Sequence, residues 1–296
     1  MAKQLNISFY DQISRNKKSS FFLMAIIFIV FVALGYAITL VMGEGYFFII
    51  MIISIVFSLG YLLISYYNSD KIAIKSVGAK LASKTQHKKF YDLVEGLTLA
   101  SGMPMPKLYV MPSKQINAFA SGRSPENSVI CVTEGAMEKL DKRELEGVLA
   151  HELSHIANYD IRYMTLATVM VGMIAIVSEI FLRSLWFSSG EGDNKNSWIF
   201  LVIGIALAIL APIVVKIVQF AISRKREYAA DSTAVKFTRY PKGLLGALKK
   251  IKTENQPMNK KQVSSALAPL FISNPFKGIT STHPPIDERI KVLERM

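Results

Sequence analysis

Four stretches of this chain are apolar, nearly free of charge and about 20 residues long, the length a helix needs to cross a bilayer. They run over residues 21–42, 45–67, about 164–187 and 198–220. Hydrophobic residues make up 51% of the chain, and the excess over an ordinary soluble domain sits in these blocks. The first block is not expected to be a secretory signal. Its apolar run is longer than a signal core, and the second block follows after a very short turn. Roughly 200 residues remain outside the spans, enough for a domain with its own core.

Charge orients the spans. The formal net charge is +13, a balance that often signals nucleic acid, yet the bases are sorted by position. Lys3, Arg15, Lys17 and Lys18 precede the first span, Lys71, Lys75, Lys80, Lys84, Lys88 and Lys89 follow the second, and Arg224, Lys225 and Arg226 follow the fourth. The turn Gly43-Glu44-Gly45 has no base, and the loop between spans three and four has only Lys195, offset by Glu191 and Asp193. The positive-inside rule places both termini and residues 68–163 in the cytoplasm, with the basic flanks against anionic membrane lipid. No basic patch with interleaved aromatics is present, so nucleic acid is not an expected partner.

Between the two hairpins the pattern changes. Helical spacing runs from Lys71 to Ala100 and stops at Gly102. Lys107 to Met111, Asn117 to Ala120 and Ser128 to Thr133 read as strands, with a turn cluster over Ser121 to Asn127, which predicts a small antiparallel sheet. Asp141 stands where a helix N-cap belongs, and Glu144 completes a capping box for a helix reaching about Asn158. Beyond the fourth span, Pro241 to Lys252 reads as an amphipathic helix, Glu254 to Lys261 as a polar loop and Asp287 to Met296 as a short closing helix. Cys131, the one cysteine, lies in an apolar strand, where packing is the expected role. Glu179 and Arg183 form an i, i+4 pair in the third span, and Lys216 can snorkel from the fourth.

The helix opened by Asp141 contains His151-Glu152-Leu153-Ser154-His155. Residues four apart share a helix face, so His151 and His155 can offer two imidazoles to one tetrahedral zinc. Glu152, beside the first of them, would take a proton from the attacking water and later deliver it to the leaving amine. A catalytic zinc takes a third protein ligand and keeps one position open. The candidates are His87, His283 and Glu227. Glu227 directly continues the fourth span, and the His151–His155 helix directly precedes the third. Two helices leaving the membrane side by side would bring Glu227 to the histidine pair, with Asp231 on the same face to accept a ring N–H. The alternative is a solvated helix face on which Glu227 and Asp231 pair with Arg224 and Arg226.

With these residues in view, the chain resembles the bacterial HtpX-type membrane metalloproteases and is similar, more distantly, to the CAAX prenyl proteases. The resemblance covers most of the chain. It rests on the paired N-terminal spans, Gly102-Met103-Pro104-Met105-Pro106, Asn117-Ala118-Phe119-Ala120, Thr133-Glu134-Gly135, the His-Glu-x-x-His helix with Asn158 and Asp160, the Glu227 to Asp231 segment and Thr282-His283-Pro284-Pro285. It implies an α+β, predominantly α-helical, multi-pass membrane protein with a cytoplasmic zincin-type (gluzincin) metalloprotease domain. One zinc ion is implied, held by His151, His155 and Glu227, with Glu152 as general base. The Asn117-Ala118-Phe119-Ala120 strand is implied as the edge on which substrate lies. An open edge pairs with any extended peptide, which gives low sequence specificity. His283, in its Pro-rich turn, is expected near the zinc as a catalytic donor to the oxyanion. Arg289 either does the same or clamps Asp287 or Asp231, and Asn158 either bonds around the site or caps its helix.

The expectation is a zinc endopeptidase of a bacterial cytoplasmic membrane, with both termini and the active site cytoplasmic. Its implied substrates are misfolded or damaged membrane proteins and unfolded polypeptide, in quality control and stress response. The chain divides into residues 1–67 with the first hairpin, 68–163 with the sheet and zinc-binding helix, 164–220 with the second hairpin, and 221–296 with the third ligand. No oligomeric state is specified. The rival reading is a non-catalytic membrane scaffold or regulator with structural zinc or none. Glu152 argues against it, because a structural site wants a closed set of four ligands and has no use for that carboxylate.

Overall fold

An apolar helix must hide from water in protein or in lipid, and the first two helices divide that task by face. In the computed structural model, which describes residues 9–42, 44–168, 204, 224–254, 268, 270–274 and 284–296, helix α1 (Phe9–Met42) and helix α2 (Phe47–Tyr67) form a hairpin. Leu23, Ile27, Val30 and Phe31 of α1 pack on Tyr163, Leu166 and Ala167 of a helical stretch over 160–168. Phe48, Ile52, Val56 and Ile64 of α2 point outward and are exposed. Among the described residues, two segments are long and apolar enough to cross a membrane, Ile13–Tyr36 and Phe47–Tyr67. Helix α1 begins before the apolar block at residue 21, and the added turns bury Asn16 and Ser20 in the protein. Residues 169–203 and 205–223, which hold most of the expected third and fourth spans with Glu179, Arg183 and Lys216, lie outside the described residues, as do 255–267 and His283.

The single helix expected over Lys71 to Ala100 is instead broken in two. Helix α3 (Ser69–Ser76) stops before Gly78, which sits at φ +64. This left-handed step costs glycine little, and it turns the chain into a short strand β1 (Lys80–Leu81). Helix α4 (Lys88–Ser101) follows and ends, as expected, on Gly102 at φ +70. Strands β2 (Lys107–Met111), β3 (Ala118–Ser124) and β4 (Asn127–Thr133) complete a sheet of order β1-β2-β4-β3. The sheet is mixed rather than antiparallel. Strands β1 and β2, and β3 and β4, are antiparallel, but β2 and β4 run parallel from Lys107↔Val129 to Met111↔Thr133. The reason lies in β4, which is buried from Ser128 to Thr133 and must have a partner on each edge. The hairpin supplies β3 on one edge, and β2 pairs along the other in the parallel sense. The expected turn is shorter than Ser121 to Asn127, since β3 continues to Ser124 and pairs there with Asn127.

Helix α5 (Glu134–Lys139) leads to α6 (Lys142–Ala157), and the capping box forms as expected. The Glu144 N–H donates to Asp141 Oδ1 and the Asp141 N–H to Glu144 Oε2, both at 2.9 Å. Helices α7 (Arg224–Thr238), α8 (Pro241–Glu254) and α9 (Ile286–Leu293) complete the described part. One face of the sheet joins α4, α6 and α8 in a core that includes Val94, Leu108, Ile130, Val132, Leu149, Leu153 and Leu248. The other face packs Phe119, Val129 and Cys131 against Ile74 and Phe271. Cys131 has the packing role expected of it, and burial pushes its thiol pKa well up.

Candidate active site

Helix α6 is buried on nearly every side from Leu145 to Ala157, so His151, Glu152, Ser154 and His155 must find partners inside the protein. Helix α7 supplies many of them. The Ser154 hydroxyl donates to the His151 carbonyl at 2.6 Å and lies 3.3 Å from the Ala230 carbonyl of α7, which draws the helices together. Glu227 and Asp231, one turn apart on α7, are both buried against α6.

The two imidazoles are held from behind. His151 Nδ1 is 2.9 Å from Asp231 Oδ1, and His155 Nδ1 is 3.1 Å from Asp160 Oδ2. A carboxylate accepts and does not donate, so each Nδ1 carries a proton, and in the neutral ring Nε2 is the nitrogen left with a lone pair. Those two Nε2 atoms face one another at 3.2 Å. Glu227 completes the set, with Oε1 3.6 Å from His155 Nε2 and Oε2 3.7 Å from His151 Nε2. One ligand atom from each of the three residues falls within 4.8 Å of the others. Two nitrogens bound tetrahedrally to zinc at its usual bond length stand about 3.3 Å apart. The histidine pair therefore already has the separation that a shared cation demands, whether a proton or a metal ion stands between the two nitrogens. The donor set fits zinc.

Burial and the surrounding charges act differently on the two histidines. Burial pulls the His151 pKa down to about 4, with the Arg289 charge adding to the fall. For His155, burial also disfavours the cation, but the Asp160 hydrogen bond and the charges of Glu227, Asp160 and Glu152 outweigh it and raise the pKa to about 9. Burial pushes Glu152 up to about 7, against the lowering effect of His155 and of a hydrogen bond from the Ala120 backbone. Among the described residues, Glu152 Oε1 has no hydrogen-bond partner. A buried carboxylate with one free oxygen and a pKa near neutrality suits proton transfer.

Arg289 clamps Asp231, the second of the roles open to it. Its Nε donates to Asp231 Oδ2 at 2.9 Å and its Nη2 to Asp231 Oδ1 at 2.7 Å. Nη1 donates to the Ile272 carbonyl at 3.1 Å and lies 3.5 Å from Glu227 Oε2. Burial opposes the Asp231 charge, yet Arg289 and His151 outweigh it and hold that carboxyl well below the usual range. Asp287 pairs with Lys252 instead. Asn158 takes the C-cap position of α6 through its backbone, and its side-chain amide has no partner among the described residues. His87 lies apart, its Nδ1 accepting the Ser83 N–H at the start of α4. Glu227 and Asp231 are buried rather than on a solvated helix face, and Asp231 pairs with His151 and Arg289.

Strand β3 is the outer strand of the sheet, as an exposed edge requires, but Asn117, Ala118, Phe119 and Ala120 are all buried. Residues 271–273 lie along them. The Ile272 N–H donates to the Ala118 carbonyl at 2.9 Å, and the Asn117 amide donates to the Ser273 carbonyl at 2.9 Å. Phe119 and Phe271 meet edge to face with ring centroids 5.1 Å apart.

Two site residues were missed in the sequence. Asp160 was part of the motif but had no assigned role. Tyr159, at φ +59, folds the chain back so that Asp160 meets His155. Asn16 gives no local signal at all, being 144 residues from the carboxylate it binds.

Residues 84–296 match the profile described as Peptidase family M48. A protein named Protease HtpX homolog from Dictyoglomus thermophilum is 42% identical over 293 residues, covering 98% of this chain and 95% of that protein. One of the same name from Caldanaerobacter subterraneus is 41% identical, with 97% of each chain covered. Among solved structures, S. mikatae Ste24p superposes with a TM-score of 0.53 at 20% identity, over 91% of this chain and 62% of that one. At that identity the likeness concerns the fold alone, and this chain spans less than two thirds of the Ste24p chain.

Proposed function

Because this chain belongs to peptidase family M48, we propose that it is a membrane-bound, zinc-dependent endopeptidase working at the cytoplasmic face on misfolded or damaged membrane proteins and unfolded polypeptide. The observation that carries the reading is the meeting of two Nε2 lone pairs at 3.2 Å beside Glu227, with Glu152 buried next to them.

His151, His155 and Glu227 hold the metal in this reading. Zinc supplies Lewis acidity at the scissile carbonyl and makes water acidic enough to attack near neutral pH. Glu152 accepts the proton of the attacking water and passes it to the departing amine. Asp231 and Asp160 keep Nε2 of each histidine free, and Arg289 holds Asp231 in place. Substrate lies as an added strand along β3 and displaces the Ile272 N–H from the Ala118 carbonyl. His283 keeps the oxyanion role as part of this proposal. The basic flanks of the spans favour a bacterial cytoplasmic membrane crossed several times, with both termini and the site inside.

Vesicles of the two orientations test the face and the metal together. Inverted vesicles containing the protein should cleave an added unfolded polypeptide, a chelator should stop them, and zinc should restore them. Cleavage by right-side-out vesicles alone, or cleavage that persists in chelator, would contradict the proposal.

A further inference from the structure

The first membrane helix reaches into the candidate metal site. Asn16 of α1 is buried, and its Nδ2 donates to Asp160 Oδ1 at 2.7 Å and to the Asn158 carbonyl at 2.9 Å. The orientation of the amide follows from its partners, since the flipped form would set its oxygen against two oxygens. The other oxygen of the same carboxylate, Asp160 Oδ2, holds His155 Nδ1 at 3.1 Å. Asp160 is fully buried; Arg226 Nε lies 3.9 Å from Oδ1, with its guanidinium stacked on Tyr163. Helix α1 thus gives Oδ1 a hydrogen bond at 2.7 Å, shorter than the Arg226 approach. Further along the same buried face of α1, Leu23 and Ile27 pack on Tyr163 and Leu166 just after Asp160. Seating α1 and placing the Asp160 carboxylate are thus one event.

We propose that Asn16 is a positioning residue for the metal site: it aims Asp160, Asp160 fixes the tautomer and angle of His155, and α1 is thereby a structural part of the metal centre. The inference rests on the reading of His151, His155 and Glu227 as metal ligands. Carboxylates behind ligand histidines typically contribute 10–100-fold to metal affinity. Asn16 acts one step further out, so the loss expected on its removal is about tenfold, near the lower end of that range.

The experiment measures zinc affinity by chelator competition on the full chain in lipid-detergent micelles, with the thermal midpoint of each zinc-free protein recorded alongside. Asn16→Ala is expected to weaken zinc about tenfold. Asn16→Asp, nearly the same shape with an acceptor for a donor, is expected to act in the same direction, so the result does not hang on a cavity. Lys17→Ala is the control. It removes the neighbouring cation stacked on the Tyr159 ring at 4.2 Å without touching Asp160, and zinc affinity should be unchanged. In an Asp160→Asn background, Asn16→Ala should add little, because the partner it acts through has already lost its charge. Wild-type affinity in both Asn16 variants overturns the inference. So does a Lys17→Ala loss equal to that of Asn16→Ala, or losses at Asn16 and Asp160 that simply add, since either would mean that α1 supports the fold in general. A wild-type protein with no zinc affinity overturns the metal-site reading and this inference with it.

Discussion

Which ring nitrogen of each histidine stays free decides what the pair can bind. Asp231 and Asp160 take the two Nδ1 positions, so both Nε2 atoms turn to the same point, where Glu227 also arrives. Replacing Glu227 by Ala removes one of three donors and should lower zinc affinity by at least an order of magnitude. Unchanged metal occupancy of the purified variant would point to a different third ligand. At this scale the sequence was informative where chemistry is local. His151, Glu152 and His155 stand within one helical turn and a half, so their spacing alone placed them together. Glu227 and Asp231 were reachable because each of the two helices concerned adjoins an expected membrane span. Asp160 needed the left-handed turn at Tyr159, and the link from Asn16 to it spans 144 positions. No periodicity encodes either.

Helix α6 is the element on which the site depends, and its start is defined by local chemistry that can be read directly: Asp141 caps it and Glu144 caps in return. Its packing is less visible in sequence. Gly147, one turn before His151, touches the α8 backbone. A Cβ there would stand 2.4 Å from Leu244 N and 2.7 Å from its Cα, a gap that no rotamer can relieve. Gly147→Ala should therefore push α8 away and cost about 1–3 kcal/mol, lowering the thermal midpoint by roughly 3–10 °C. A midpoint equal to wild type would mean that the helices are not in this contact. The sheet shows the same division between local and distant. Lys107 to Met111 and Gly102 were legible from residue type, whereas the parallel pairing of β2 with β4 was not. It follows from β4 being buried on both edges, a property of the assembled fold. The break at Gly78 was hidden for a related reason: the flanking residues keep helical spacing, and only the pairing of β1 with β2 draws the chain out of a helix.

In the described molecule as a whole, the candidate metal ligands lie beside the first apolar helix. Helix α6 runs through Asn158 into the 160–168 helix, α7 carries Glu227, and α1 lies against 160–168 and holds Asp160. Of the four spans expected from blocks of apolar sequence, the first two appear as helices of sufficient length among the described residues. In the proposed hydrolysis of peptide bonds, Glu152 is the base. The direct measurement is zinc content and cleavage of a membrane-protein substrate by purified wild type beside Glu152→Gln. The side chain keeps its size and lies outside the ligand set, so the variant should hold about one zinc per chain, as wild type does. Its cleavage rate should fall by about 10²–10⁴-fold. A Glu152→Gln protein that cleaves at the wild-type rate with its zinc in place would contradict the account.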